Sequence, residues 1–298
     1  MTHQLLDVYD TKVVVWDVNG RVWHLSGSNA GREGVRLSQQ TGFMFAPTQL
    51  LVSEGARQDG ATFHRSVRSK KEWDFIVMIS GTGKTGAVNR VRDFHAVHDA
   101  WFRGWTTDKP VTVGYFTRHQ GWRFQQAQLD AAPEFVGDVD PARNAAVAYK
   151  MSATAMDPLE RHFEETAVWT NTAGLDEGTV RARNAADQPA WPRYTMNGPG
   201  RWAILDPFAG GEQPRLVQTP RLEAGQTLRI DTHPRHRTAR VYSSGNTAGS
   251  NVWGQLAGRR WLAALPPWSS TEILVQVDGG TTASSLVVSV TPRSSRPF

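Results

Sequence analysis

The run Gly81-Thr-Gly-Lys-Thr85 is the part of this chain that most resembles a chemical device. A glycine-rich loop ending in Gly-Lys-Thr wraps phosphates when its first glycine stands five residues before the second. Here that position is Met78, inside an apolar run. Asp17 after Val13-Val-Val-Trp and Asp206 after Trp202-Ala-Ile-Leu have the look of magnesium-binding carboxylates at strand ends. A nucleotide fold would also need parallel strands joined by several crossover helices, and the pattern of this chain supports one helix. The run therefore reads as a tight turn with Thr85 capping the helix that follows, and no cofactor is expected.

The nine histidines give two close pairs, His95 with His98 and His233 with His236. Neither has a readable third ligand, so no metal site is assigned. Glu134, Asp138, Asp140, Glu164, Glu165, Asp176 and Glu177 all fall in expected loops or linkers, and no pair is singled out for glycoside hydrolysis. No Gly-x-Ser-x-Gly elbow is present for acyl transfer. No catalytic residue is assigned, and the chain is not expected to be an enzyme. Twelve tryptophans are many for 298 residues. Trp253, Trp261 and Trp268 cluster late in the sequence, and two readings stay open for them: core packing, or a sugar-stacking platform.

Composition narrows the class. The chain is 39% hydrophobic and 20% charged, as in globular proteins. It has no cysteine, which removes disulfides and thiolate zinc sites. Net charge is +5, but Lys supplies only six of the 33 basic residues and the arginines are scattered. The closest thing to a nucleic-acid stripe is Arg65-Ser-Val-Arg-Ser-Lys-Lys71, without aromatic interleaving. No signal peptide pattern opens the sequence. No apolar run approaches the roughly 18 residues of a membrane span, so no membrane insertion is expected.

Residues that carry little chemistry carry the architecture. Lys12–Val18 and Arg21–Leu25 predict a hairpin around the two-residue turn Asn19-Gly20. Asn29–Ser38 reads as a mobile loop. Strands are expected at Gln49–Ser53, Ala61–Val67, Pro110–Thr117, Trp122–Ala131 and Asn144–Thr154, and a buried one at Trp73–Ile79. Val88, Val91, Phe94, His98, Trp101 and Phe102 recur at steps of three and four, predicting a helix over about 87–102, stopped at Gly104. Glu160–Thr172 reads as the linker between domains at 1–165 and 166–298. Val180–Arg183 begins the second domain, which then alternates short strands with turns: Arg193–Met196, Trp202–Leu205, Thr227–Asp231, Arg237–Ser243, Val252–Leu256, Arg260–Leu265, Thr271–Val277 and Ser285–Thr291, with Ser244–Ser250 as a loop tip. This spacing predicts a β-sandwich. The fold class is mainly β: an N-terminal sandwich-like domain with one helix, then a C-terminal sandwich.

In the second half, Asn184, Asp187, Pro189, Pro192, Gly198, Pro199, Leu222, Gly225, Leu228, Ile230, Asp231 and Thr232 form a polar approach, a Gly-Pro turn and an Leu-x-x-Gly-x-x-Leu-x-Ile-Asp-Thr strand. In the first half, Asp59-Gly-Ala61, Trp73–Ile79, the helix, Val111-Thr-Val113, Gly121-Trp-Arg123 and Ser152–Pro158 follow in order. This arrangement resembles the distal tail proteins (minor tail proteins) of long-tailed siphophages, of the kind that infect actinobacteria. Leu159 stands where many relatives have an aromatic. The resemblance covers most of the chain and implies a virion protein at the tail tip, assembled in the host cytoplasm. It implies a homo-oligomeric ring, hexameric in that family, built by the first domain, with a galectin-like or carbohydrate-module-like second domain outside it. The implied partners are the tail tube protein, the tape measure protein and the baseplate hub, with DNA passing the lumen without being gripped. The alternative is a carbohydrate-binding module for host cell-wall polysaccharide, with Trp253, Trp261 and Trp268 as its stacking residues.

Overall fold

The computed structural model describes residues 11–81, 91–137, 145–172, 174–206 and 215–297. The chain forms two compact units: one runs to Arg161 and takes back the chain from Ser295, and the other is His162–Ser294.

The first unit holds β1 (Lys12–Trp16), β2 (Val22–His24), β3 (Val35–Thr41), β4 (Thr48–Ser53), β5 (Thr62–Arg68) and β6 (Lys71–Ser80). After α1 (Val91–Arg103) come β7 (Val111–Thr117), β8 (Gly121–Leu129), β9 (Glu134–Val136), β10 (Ala146–Ala155) and β11 (Glu160–Arg161). Antiparallel pairing gives the order β2-β1-β7-β8-β10-β6-β3. β8 and β10 join only through Ala153↔Leu129 and Thr154↔Gln128, whereas β10 and β6 pair along ten residues. Flat neighbouring strands lie about 4.8 Å apart, which would hold β6 and β7 three steps distant. Yet the rings of Trp73 and Tyr115 approach to 6.5 Å, so the sheet curls over its own inner face.

That face is aromatic because each strand contributes every second residue. β6 alternates buried Trp73, Phe75, Val77 and Ile79 with less buried neighbours, and Met78 is exposed. The strand is therefore covered on one face, not on both. Phe94 and Trp101 of α1 are buried in the same core. Trp101 packs edge-on to Trp23 at 5.2 Å and directs its indole N–H at Met151 Sδ, 3.1 Å away. Residues 82–90 lie outside the description, and with them Thr82–Thr85, the expected cap and the first turn of the expected helix. Gly104 does more than stop the helix: a Cβ there would lie 2.5 Å from Asp17 Oδ2.

The first hairpin differs from expectation at its turn. Asp17 Oδ1 accepts the N–H groups of Asn19 and Arg21, and Asp17 N–H bonds Arg21 O. The carboxylate thus organises a five-residue connection where the Asn-Gly signal predicted two. The Asn29–Ser38 loop is shorter than expected, because Val35 onward joins β6 as β3.

The second unit holds β12 (Glu165–Thr170), β13 (Glu177–Asn184), β14 (Arg193–Asn197), β15 (Gly200–Leu205) and β16 (Leu216–Leu222). β17 (Thr227–Asp231), β18 (Thr238–Ser243), β19 (Asn246–Asn251), β20 (Ser269–Asp278) and β21 (Ser285–Val290) follow, and the two-residue β22 (Arg293–Ser294) is the last. One sheet runs β12-β21-β14-β17-β18-β19 and the other β13-β20-β15-β16. Tyr194, Met196, Leu228, Ile230, Leu286 and Val288 from the first share one core with Val180, Trp202, Ile204, Val217, Ile273 and Val275 from the second. Two inward faces alternating with solvated residues make a β-sandwich.

Four expectations in this half change. The linker at 160–172 contains β12, which pairs with β21 along six residues. Ser244–Ser250 is mostly strand, since β19 completes a hairpin with β18. Val252–Leu256 is a 3-10 turn (Trp253–Leu256). Arg260–Leu265 is not a strand, and only Leu265 bridges to Ala190.

Candidate assembly surface

β4 and β5 form a two-stranded sheet that pairs with no other strand among the described residues. Every residue of both strands is exposed. The register places Val52 opposite Phe63 and Gln49 opposite Val67. Leu50, Val52 and Phe63 therefore share one face, while Leu51 and Val67 occupy the other. Leu50 is 65% exposed and Phe63 59%. An isolated hairpin is marginal in water, and a solvated strand ordinarily alternates apolar with polar residues. Large apolar side chains exposed on both faces of a hairpin, most of them on the face of Leu50, Val52 and Phe63, mark a surface that another chain could cover. Sequence reading located both strands but gave no sign that they stand apart from the other sheets, because strand propensity does not say what a strand packs against.

The residues singled out for chemistry have structural tasks. Besides its turn, Asp17 accepts the indole N–H of Trp23 at 2.9 Å. Asp206, also buried, accepts from Arg215 at 2.5 Å and from the backbone N–H groups of Leu262 and Ala263. Neither carboxylate is left open for a cation. His98 Nε2 lies 3.1 Å from Tyr149 Oη, between the rings of Phe94 and Phe102. Burial, then the neighbouring His95, pushes its pKa down. The His233 and His236 rings stack at 5.3 Å, and burial followed by the Arg293 charge lowers the pKa of His233. Among the described residues no three acidic or histidine side chains cluster as metal ligands would. Glu164 pairs with Arg193, and Glu177 accepts from Gln276. Asp138 and Asp140 lie outside the description.

The three candidate tryptophans separate. Trp261 is buried 5.0 Å from Tyr194 and has no face open for a sugar. Trp268 is 69% exposed and takes a positive φ of 53°, unusual for a bulky residue. Trp253 is half-buried in the wall of a cleft of about 450 Å³. Lys71, the last residue of the basic run considered as a nucleic-acid stripe, is not on the surface: with Glu160 it forms a 2.6 Å ion pair in the first unit with no solvent exposure on either side chain.

No protein-family model matches the chain, and no curated protein matches it. Solved structures do. The crystal structure of the SPP1 Dit protein, described as a paradigm of the hub adsorption apparatus in phages that infect Gram-positive bacteria, superposes with a TM-score of 0.62 at 12% identity. The match spans 95% of this chain and 98% of that one. The chain has the fold of the phage distal tail proteins. Chains of the phage P2 baseplate in its activated conformation, one with calcium and one with strontium, match at TM-scores of 0.51 and 0.50. Each is 10% identical and is covered over 97% of its length. At such identities the likeness speaks to the fold of both units in this order. Among the described residues no helix is long and apolar enough to cross a membrane.

Proposed function

We propose that the chain is a structural protein of a phage tail tip. Residues 1–165 build a ring, six-fold as the resemblance implies, and residues 166–298 project from it. The ring joins the tail tube to the baseplate hub, meets the tape measure protein, and passes DNA without gripping it. Its work is assembly in the host cytoplasm and not turnover. The observation that carries this reading is the fold shared along nearly the whole of both chains with the SPP1 hub protein.

The β4–β5 hairpin supplies the adhesive surface. A cyclic ring is closed by two different flanks of each subunit, and an exposed hairpin offers unpaired backbone together with apolar side chains to a neighbour. The test is the mass and image of the purified full-length protein, alone and with its tail tube protein. A closed ring with a central hole is the expected result. A protein that stays monomeric under both conditions would sink the reading.

A further inference from the structure

Four basic side chains, Arg229, Arg237, Arg240 and Arg260, line neighbouring clefts of the second unit. Arg229 and Arg240 stand directly opposite each other on β17 and β18, both exposed and both on the face turned from the core. Two clefts adjoin there. The first, about 450 Å³, is lined by Arg237, Thr238, Arg240, Asn251, Trp253 and Arg260. The second, about 400 Å³, contains Arg229, Thr227 and Tyr242 with three neighbouring hydroxyl residues. Neither lining includes a carboxylate. Arg259, beside Arg260 in sequence, is held by Gln218 Oε1 at 2.6 Å.

These arginines are set in place. The Arg240 guanidinium donates to Ala248 O and Gly249 O, both at 3.1 Å. The carbonyl of Arg260 accepts from Arg215, which Asp206 pins. Arg237 Nε is buried and bonded to nothing among the described residues. Asp231, across from Thr238 in register, turns one carboxylate oxygen to His233 N–H. Clustered guanidinium groups repel one another, and each favours a carboxylate or phosphate by forked hydrogen bonds.

We propose that this face binds an acidic polysaccharide, one charged sugar in each cleft, with the anion on the arginines and the first ring against Trp253. Sites of this volume suit a single small ring, and the many hydroxyl and amide groups of the lining match sugar hydroxyls. A single-stranded nucleic acid would need open aromatic faces for successive bases. The Tyr242 ring is already covered by the Arg229 guanidinium at 4.8 Å. The proposal rests on the second unit alone and holds or fails independently of the ring.

The test titrates the full-length protein, followed by tryptophan fluorescence, with four probes: oligogalacturonate, a phosphorylated mannan oligomer, a neutral dextran oligomer and oligo-dT. Saturable binding of oligogalacturonate or of the phosphorylated mannan, weakened by salt, is expected, and which one binds separates a carboxylate from a phosphate source. The Arg237→Gln/Arg260→Gln variant should weaken it at least tenfold. Arg229→Gln, at an exposed position that leaves the fold intact, should weaken it severalfold. Trp253→Ala should abolish the fluorescence change, and Trp253→Phe should retain binding. Equal binding of dextran, tightest binding of oligo-dT, no saturable binding of either anionic polymer, or indifference to the arginine variants would each overturn the proposal. Oligomer mass, measured on the same samples, reports on the ring separately.

Discussion

Lys71 and Glu160 give up all their solvent for one another. Burial pushes the Glu160 carboxyl up, with the Lys71 charge opposing, and pushes the Lys71 amine down, with Glu160 opposing. A raised carboxyl contributes stability present below its unfolded pKa and lost as pH rises through the folded one. A lowered amine contributes stability present above its unfolded pKa and lost as pH falls through the folded one. A stabilising ion pair would lower the carboxyl and raise the amine; both shifts run the other way, so the pair is not a net source of stability. Removing one partner strands the other charge, however. We expect Glu160→Gln to destabilise by about 3–5 kcal/mol, whereas Lys71→Met combined with Glu160→Leu stays near or above the parent. Denaturant unfolding of the singles and the double checks this, and additive losses would contradict it. His98 gives the opposite pH arm to a raised carboxyl: its lowered pKa contributes stability present above the usual 6.5 and lost as pH falls through the folded value. The melting temperature of the parent should therefore drop more steeply on acidification than that of His98→Gln. An identical slope in the two would remove the argument.

At the scale of elements, the helix and most strands were legible. Phe94 and Trp101 sit in the core at the positions their spacing indicated. Phe94→Ala should cost about 3–5 kcal/mol in the same unfolding measurement. The side chain of Val91 lies outside the description. What escaped reading was strand made of polar or turn-forming residues. β19, Asn-Thr-Ala-Gly-Ser-Asn, is a strand because β18 pairs with it, not because its residues favour one. β12 alternates its burial, but Trp169 alone among its residues is large enough to announce an inward face. Trp253 and Trp261 could not be told apart, because residues 252–265 lack the period that would assign a side to each. The β4–β5 hairpin shows the converse: visible as strands, invisible as surface. Replacing Leu50, Val52 and Phe63 by Ser, Thr and Ser should leave the subunit folded, since exposed positions contribute little to stability, while shifting the assembly toward monomer. Light scattering together with thermal unfolding separates the two effects. Unchanged oligomers in a folded variant would exclude the hairpin as the contact.

For the whole molecule, the division at Arg161 and the return at Ser295 make the second unit an insertion in the first. Its two ends are adjacent, for His162 Nε2 and Ser294 Oγ are 2.6 Å apart. Replacing His162–Ser294 by a short Gly-Ser linker should thus leave an intact first unit. If that unit builds the ring, the shortened chain still forms one by electron microscopy, and failure of a folded shortened chain to assemble would place the contacts in the second unit. The same arrangement sets a schedule on the ribosome. Synthesis reaches Ser295 only after the entire sandwich has been made, so the first unit is the first begun and the last finished. Segments of a chain fold as they emerge, so the part of the first unit up to Arg161 is available to fold before the sandwich is made, and the strand of chain from Ser295 can join it only afterwards.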